Sequence, residues 1–191
     1  YEYVDVVVRG EGENSLFAVV SAMQTGSDFS NIDGISYRIG NTLKHNKSRE
    51  TPSLNNYRVP ERELTAHYSE SYSRVGMGRI LTMLSSRGCT RRCDFCSIWR
   101  ANEGKYRSRC PKSILHELLD QDLESINTID FVDDDSFGNV RCMEEFRKLV
   151  SASGVRKSFR FFVRSDSVVR EPQLFYDWAE AGMHYVSIGL E

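Results

Sequence analysis

The sequence predicts an α/β fold in which parallel strands are joined by helical crossovers. Two observations carry that reading. From residue 79 onward, short apolar strand-like runs alternate with helix-spaced stretches four strands deep, and a strand that returns parallel to its neighbour needs such a crossover. The helical stretches are also punctuated as helices are, with Pro111 in a first turn, where its missing N–H costs nothing, and stops near Gly154 and Gly182.

Taken in order, Val4 to Val8 reads as a β-branched strand closed by Arg9-Gly10-Glu11-Gly12-Glu13. A helix follows over Asn14 to Gln24, with Leu16, Phe17, Val19, Val20 and Met23 at helical spacing and Gly26 as its stop. Ile35 to Ile39 and Thr42 to Lys44 alternate on either side of Gly40-Asn41, the pattern of a hairpin with a two-residue turn. Residues 45–78 are polar, lack periodicity and contain Pro52 and Pro60, so they read as a linker between residues 1–44 and 79–191. The second region supplies strands at Ile80 to Leu84, Thr128 to Val132, Ser158 to Val163 and Tyr185 to Leu190. Between them lie helices at Pro111 to Leu123, Asn139 to Val150 and Pro172 to Ala181. Both chain ends read as strands cut from a larger protein.

Composition narrows the function classes. Twenty-seven acidic residues nearly balance 25 basic ones, so no global charge steers the chain to nucleic acid or an anionic membrane. No run approaches the roughly 18 apolar residues of a membrane span, and no signal pattern opens the chain. A reducing cytoplasm is the expected compartment. Five cysteines are an odd number, and three of them fall within eight residues, which argues for a metal site over a disulfide framework.

Those three are Cys89, Cys93 and Cys96, in Ser86-Arg87-Gly88-Cys89 to Cys96-Ser97-Ile98-Trp99. Thiolates are the ligands of iron–sulfur clusters, and a cubane normally takes four. Three close cysteines would hold three irons and leave the fourth open to another ligand. Structural zinc prefers four ligands in two pairs, and neither Cys110 nor His116 has pair spacing. Three buried thiols would not share so polar a loop. Cys110 and Cys142 lack motif spacing and read as structural.

The C-x3-C-x2-C pattern with Phe95 before its last cysteine, just past the first barrel strand, resembles the signature of the radical S-adenosylmethionine (SAM) superfamily. Arg87-Gly88-Cys89, Gly104-Lys105-Tyr106-Arg107, Phe131-Val132-Asp133-Asp134 and Ile188-Gly189-Leu190-Glu191 resemble the branch that carries an N-terminal cobalamin-binding domain. Arg9 to Glu13 is similar to the last strand-to-helix turn of that domain. The resemblance implies a partial (β/α) barrel of about four parallel strands, preceded by the tail of a Rossmann-like cobalamin-binding domain and a linker. It also implies an enzyme in which a [4Fe–4S] cluster on Cys89, Cys93 and Cys96 cleaves SAM to a 5′-deoxyadenosyl radical. That radical would abstract hydrogen from a small-molecule substrate, in cobalamin-dependent methyl transfer, cyclisation or a related reaction. The Asp-x-His-x-x-Gly cobalt-ligand motif is absent, so this segment alone is not expected to bind cobalamin.

The same resemblance assigns SAM contacts. Phe95 would lie near the adenine or pack under the loop, Asp133 or Asp134 would receive the amino group or belong to a solvated acidic turn capping the next helix, and Glu191 would face the site. Arg164, at the end of the third strand, could pair with the SAM carboxylate or simply form a salt bridge. Seven basic residues between Arg87 and Arg109 face only Asp94 and Glu103, which suits an anionic cluster or an acidic electron donor such as a flavodoxin or ferredoxin before nucleic acid, although a solvated face is the commonest meaning of such a run. Two alternatives share some of these features. A tRNA methylthiotransferase would need a further cysteine cluster, and residues 1–88 contain no cysteine; a zinc or nucleic-acid module would need a fourth ligand near the loop.

Overall fold

The computed structural model describes residues 3–56 and 58–189. The chain divides after Pro52 into two compact units.

The first unit contains β1 (Val6–Val8), α1 (Glu13–Thr25), β2 (Ile35–Ile39) and β3 (Thr42–His45). β2 pairs antiparallel with both neighbours, and β2–β3 is the hairpin expected around Gly40-Asn41. Gly26 ends α1 in the left-handed conformation that glycine adopts without strain, donating its N–H to the Ala22 carbonyl. The buried face of α1 is not the one its apolar spacing suggests. Ser15, Val19 and Ala22 are inward, while Leu16, Phe17, Val20 and Met23 are exposed. The inward face is fixed by Ser15, whose hydroxyl donates to the Asp33 carbonyl (2.9 Å) and accepts from Arg49 Nε (2.9 Å).

The second unit carries the predicted strands. β4 (Ser73–Arg74), β5 (Gly78–Met83), β8 (Thr128–Phe131), β9 (Ser158–Arg164) and β10 (Met183–Gly189) form one sheet in the order β10-β9-β8-β5-β4. The pairs β5–β8, β8–β9 and β9–β10 are all parallel, as the crossover argument requires; β4 alone is antiparallel, covering one edge of β5. Ser73 and Arg74 fall within the stretch that the sequence reads as a linker. A separate two-residue ladder joins β6 (Ser86–Arg87) to β7 (Arg107–Ser108). The helices are α2 (Ile98–Ala101), α3 (Pro111–Leu119), α4 (Val140–Ser153), α5 (Ser165–Arg170) and α6 (Pro172–Glu180). α5 was not foreseen.

One face of the sheet packs on α3, α4 and α6. Leu81, Met83, Ile129, Phe131, Phe159 and Phe161 meet Leu118, Phe146, Val150 and Trp178, all nearly or fully buried. The Phe161 ring stacks on Phe131 at 4.9 Å between centroids and meets Trp178 edge-on at the same distance. Helices on one face leave the other face of the curled sheet to line the barrel interior. That face bears a buried ion pair, Arg160 to Asp130 (2.7 Å), which Ser187 extends onto β10 (2.7 Å). Arg62, in a 3-10 segment over Arg62–Ser71, donates to the Thr82 carbonyl (2.9 Å) and to Glu117 on α3 (2.7 Å), fastening the polar stretch to the barrel. No helix among the described residues is long and apolar enough to cross a membrane.

Candidate cluster and SAM site

Parallel strands place all their carboxyl ends on one edge, and in β/α folds that edge carries the chemistry. Here β5 runs into the cysteine loop, β8 into Asp133, Asp134 and Asp135, and β9 into Arg164 and Asp166. These segments touch. Ser136 N–H donates to the Phe162 carbonyl (2.8 Å), laying the loop after β8 across the end of β9, while Gly88 N–H reaches Asp134 (2.7 Å).

The cysteine loop is closed at its base by the β6–β7 ladder. Gly88 has φ +89°, and a Cβ there would stand 2.1 Å from the Lys105 carbonyl oxygen, so this close crossing of two chains admits only glycine. Within the loop, Cys93 to Cys96 is a tight turn closed by Cys96 N–H to the Cys93 carbonyl (3.1 Å). The same carbonyl accepts from Trp99 Nε1 (3.2 Å), and the Trp99 ring lies beneath the guanidinium groups of Arg92 and Arg100. Cys89, Cys93 and Cys96 are free and half-buried.

This donor set suits a cluster. Among the described residues, no three His, Cys, Asp or Glu side chains stand close enough to share a single ion. A cubane asks for something else, because each thiolate binds a different iron. The surroundings are cationic: Arg164 Nε donates to Asp166 (2.9 Å), and Arg91, from within the cysteine loop, pairs with the other oxygen of Asp166. Burial opposes the charge on Arg164, but the bond and charge of Asp166, then the charges of Cys89 and Asp135, raise its pKa overall. Asp166 is held below the usual carboxylate range: burial opposes this, and the Arg164 bond and the charges of Arg164, Arg91 and Arg170 outweigh it. Asp166 thus ties the cysteine loop to the end of β9. Sequence reasoning assigned it no role.

The aspartates after β8 separate by environment. Asp133 is 4% exposed, and its carboxylate accepts from Ser85 N–H (2.7 Å), Ser86 N–H (3.1 Å) and the Ser85 hydroxyl. Burial raises its pKa and those bonds counter the rise. Asp134 is exposed and spends Oδ2 on Gly88. Asp135 is the residue the sequence reading passed over. It is 5% exposed, its Oδ1 has no hydrogen-bond partner, and burial pushes its pKa up to about 6 against the pull of Arg164. Nothing in the triplet Asp133-Asp134-Asp135 distinguishes these three roles; only the turn geometry does.

A raised carboxyl pKa favours the protonated folded state, so this contribution is present below about pH 4 and is lost as pH rises through about 6. Asp135→Asn should therefore raise thermal stability above pH 6 and flatten its decline between pH 4 and 6, by about 2–3 kcal/mol. Melting curves across that range check this.

Phe95 is 71% exposed at the loop surface, without the packing role weighed for it. Arg164 does form the salt bridge weighed for it. Glu191 lies outside the described residues. Cys142 is buried with its thiol donating to the Arg109 carbonyl (3.3 Å) and its pKa pushed up to about 11 by burial, and Cys110 caps α3 away from the loop's cysteine spacing.

The family model described as "Radical SAM superfamily" matches residues 83–191, from the end of β5 onward. The chain belongs to the radical SAM superfamily. Curated relatives include an anaerobic magnesium-protoporphyrin IX monomethyl ester cyclase from Synechocystis sp., 24% identical over 98% of this chain and 37% of that protein. A hopanoid C-3 methylase from Methylococcus capsulatus is 28% identical over 98% of this chain and 35% of its own length. The chain therefore spans about a third of these relatives. Among solved structures, the cobalamin-dependent radical SAM enzyme OxsB, with aqua-cobalamin and SAM bound, has a TM-score of 0.80 at 21% identity, covering 97% of this chain and 28% of that one. The radical SAM methyltransferase TsrM from Kitasatospora setae has a TM-score of 0.68 at 16% identity, covering 98% and 38%. At such identities these likenesses speak for the fold, which is the partial barrel expected.

Proposed function

We propose that this chain is the SAM-cleaving part of a cobalamin-dependent radical SAM enzyme acting in a reducing compartment on a small-molecule substrate. One observation carries the reading: three free thiols stand in one loop at the carboxyl edge of a parallel barrel sheet, beside a cation held by Asp166. Cys89, Cys93 and Cys96 would ligate a [4Fe–4S] cluster, which supplies the electron that splits SAM into methionine and a 5′-deoxyadenosyl radical. Arg164, fixed by Asp166, would pair with the SAM carboxylate. Asp134 keeps one carboxylate oxygen for the amino group, and Asp135 offers a second, buried one; Asp133 has its acceptors engaged. Phe95 has the exposure that stacking on an adenine ring needs. Arg92 and Arg100, layered on Trp99, suit docking of an acidic electron donor. Methyl transfer or cyclisation by the full-length protein is favoured by the curated relatives, a methylase and a cyclase, and the assistance of cobalamin by the likeness to OxsB and TsrM.

Anaerobically reconstituted chain, reduced with dithionite, should convert SAM to 5′-deoxyadenosine and methionine in equal amounts. Arg164→Ala should weaken SAM binding about ten- to hundredfold, the worth of a charge-assisted contact, while cluster iron stays near wild type; Asp166→Ala, which also frees Arg91 of the cysteine loop, should weaken SAM binding as much and lose some iron as well. Unchanged SAM binding in Arg164→Ala would remove Arg164 from the site. A protein holding one zinc and no iron would overturn the reading as a whole.

A further inference from the structure

The carboxylates expected at the SAM amino group also bond the backbone of the cysteine loop. Asp133 and Asp134 together accept three backbone N–H groups, from Ser85, Ser86 and Gly88, within the four residues that precede Cys89. Ser85, Ser86 and Asp133 are each no more than 4% exposed, so the two bonds to Asp133 have no water to replace them. Besides these bonds, the segment reaches the loop after β8 through the Ser86 hydroxyl, which donates to the Asp135 carbonyl (3.3 Å); β5 itself stops at Met83, its last tie being Val132 N–H to the Met83 carbonyl (3.0 Å), and β6 pairs sideways with β7. Gly88, adjacent to the first cluster ligand, has its conformation set by Lys105 on one side and by the Asp134 acceptor on the other.

We propose that Asp133 and Asp134 are positioning residues for the cluster, their carboxylates fixing the backbone that presents Cys89; this rests on the cluster reading above. Asp133 is the buried brace, orienting the strand exit through Ser85 and Ser86. Asp134 sets the direction of the Arg87–Gly88 peptide, and so the run of backbone that would present the Cys89 thiolate. The aspartate pair is thereby assigned to the cluster loop first, and SAM contact falls to Asp135 and the spare oxygen of Asp134.

The test compares wild type, Asp134→Ala, Asp134→Asn and Asp134→Ser after anaerobic reconstitution of this chain. The readouts are iron per chain, iron loss to a chelator, the EPR spectrum of the reduced cluster without SAM, and SAM affinity. Asp134→Ala and Asp134→Ser, lacking an acceptor that reaches Gly88, should lose iron about tenfold faster and show shifted g-values, as removal of one charge-assisted hydrogen bond implies. Asp134→Asn retains a carbonyl oxygen for the Gly88 N–H and should restore both readouts. If Asp134→Ala does not fold, the Asn and Ser variants carry the comparison. Wild-type iron retention and an unaltered spectrum in the Ala and Ser variants would overturn the proposal while leaving the cluster reading intact. So would a tenfold or greater loss of SAM affinity with the cluster unperturbed, which would leave Asp134 a SAM contact and no brace for the loop. Failure of wild type itself to take up iron would sink the cluster reading and this inference with it.

Discussion

Replacing any one of Cys89, Cys93 and Cys96 with Ala should abolish most of the brown colour and most of the roughly four irons per chain expected after anaerobic reconstitution. Each thiolate would hold a separate iron, and no other free thiol is placed to substitute: Cys142 is buried with its proton held against ionisation, and Cys110 sits at the start of α3. Cys110→Ala and Cys142→Ala should accordingly keep the cluster. Iron and sulfide analysis with an absorption spectrum decides it. Full iron in Cys93→Ala, or its loss in Cys142→Ala, would mean the ligands are wrongly assigned.

The second large effect is expected at Gly88. A methyl group there would have to displace the Lys105 carbonyl and would impose a φ of +89° on an L-residue. Together these cost about 3 kcal/mol or more, enough to lower the melting temperature by about 6–12 °C. Because the crossing is also the base of the cysteine loop, Gly88→Ala should lose the cluster as well. Gly104 is the control. It too has positive φ, 68°, but open space surrounds it, so Gly104→Ala should cost only about 1–2 kcal/mol and keep its iron. Equal melting temperatures for the two variants would show that the crossing is looser than described.

The barrel strands were legible because each is a short apolar run with a helix-spaced crossover behind it. Phe159 and Phe161, for example, point to the helices while Arg160 and Phe162 point to the interior, a period of two that survives in the sequence. The cysteine loop was legible from spacing alone. What the sequence could not convey depends on which way a side chain turns. In α1, apolar spacing pointed to Leu16, Phe17 and Met23, yet Ser15 is inward because it bonds Asp33 and Arg49, partners far along the chain. α5 was invisible because Ser165–Arg170 begins directly at the end of β9, with no connecting loop to mark it. Arg109 and Arg62 converging on the buried Glu117 left no local signal either, beyond a glutamate between apolar positions of α3. For the same reason three consecutive aspartates looked interchangeable, although one braces backbone, one orients Gly88 and one keeps an unpartnered oxygen.

The central claim is that the cluster on this loop has an open iron that SAM occupies. The most direct measurement is the EPR spectrum of the reduced, reconstituted chain before and after adding SAM. The account predicts a reduced-cluster signal whose g-values change on adding SAM, in wild type and with weakened SAM dependence in Arg164→Ala. A cluster signal indifferent to saturating SAM, or a protein that takes up zinc and shows no cluster signal, would contradict it.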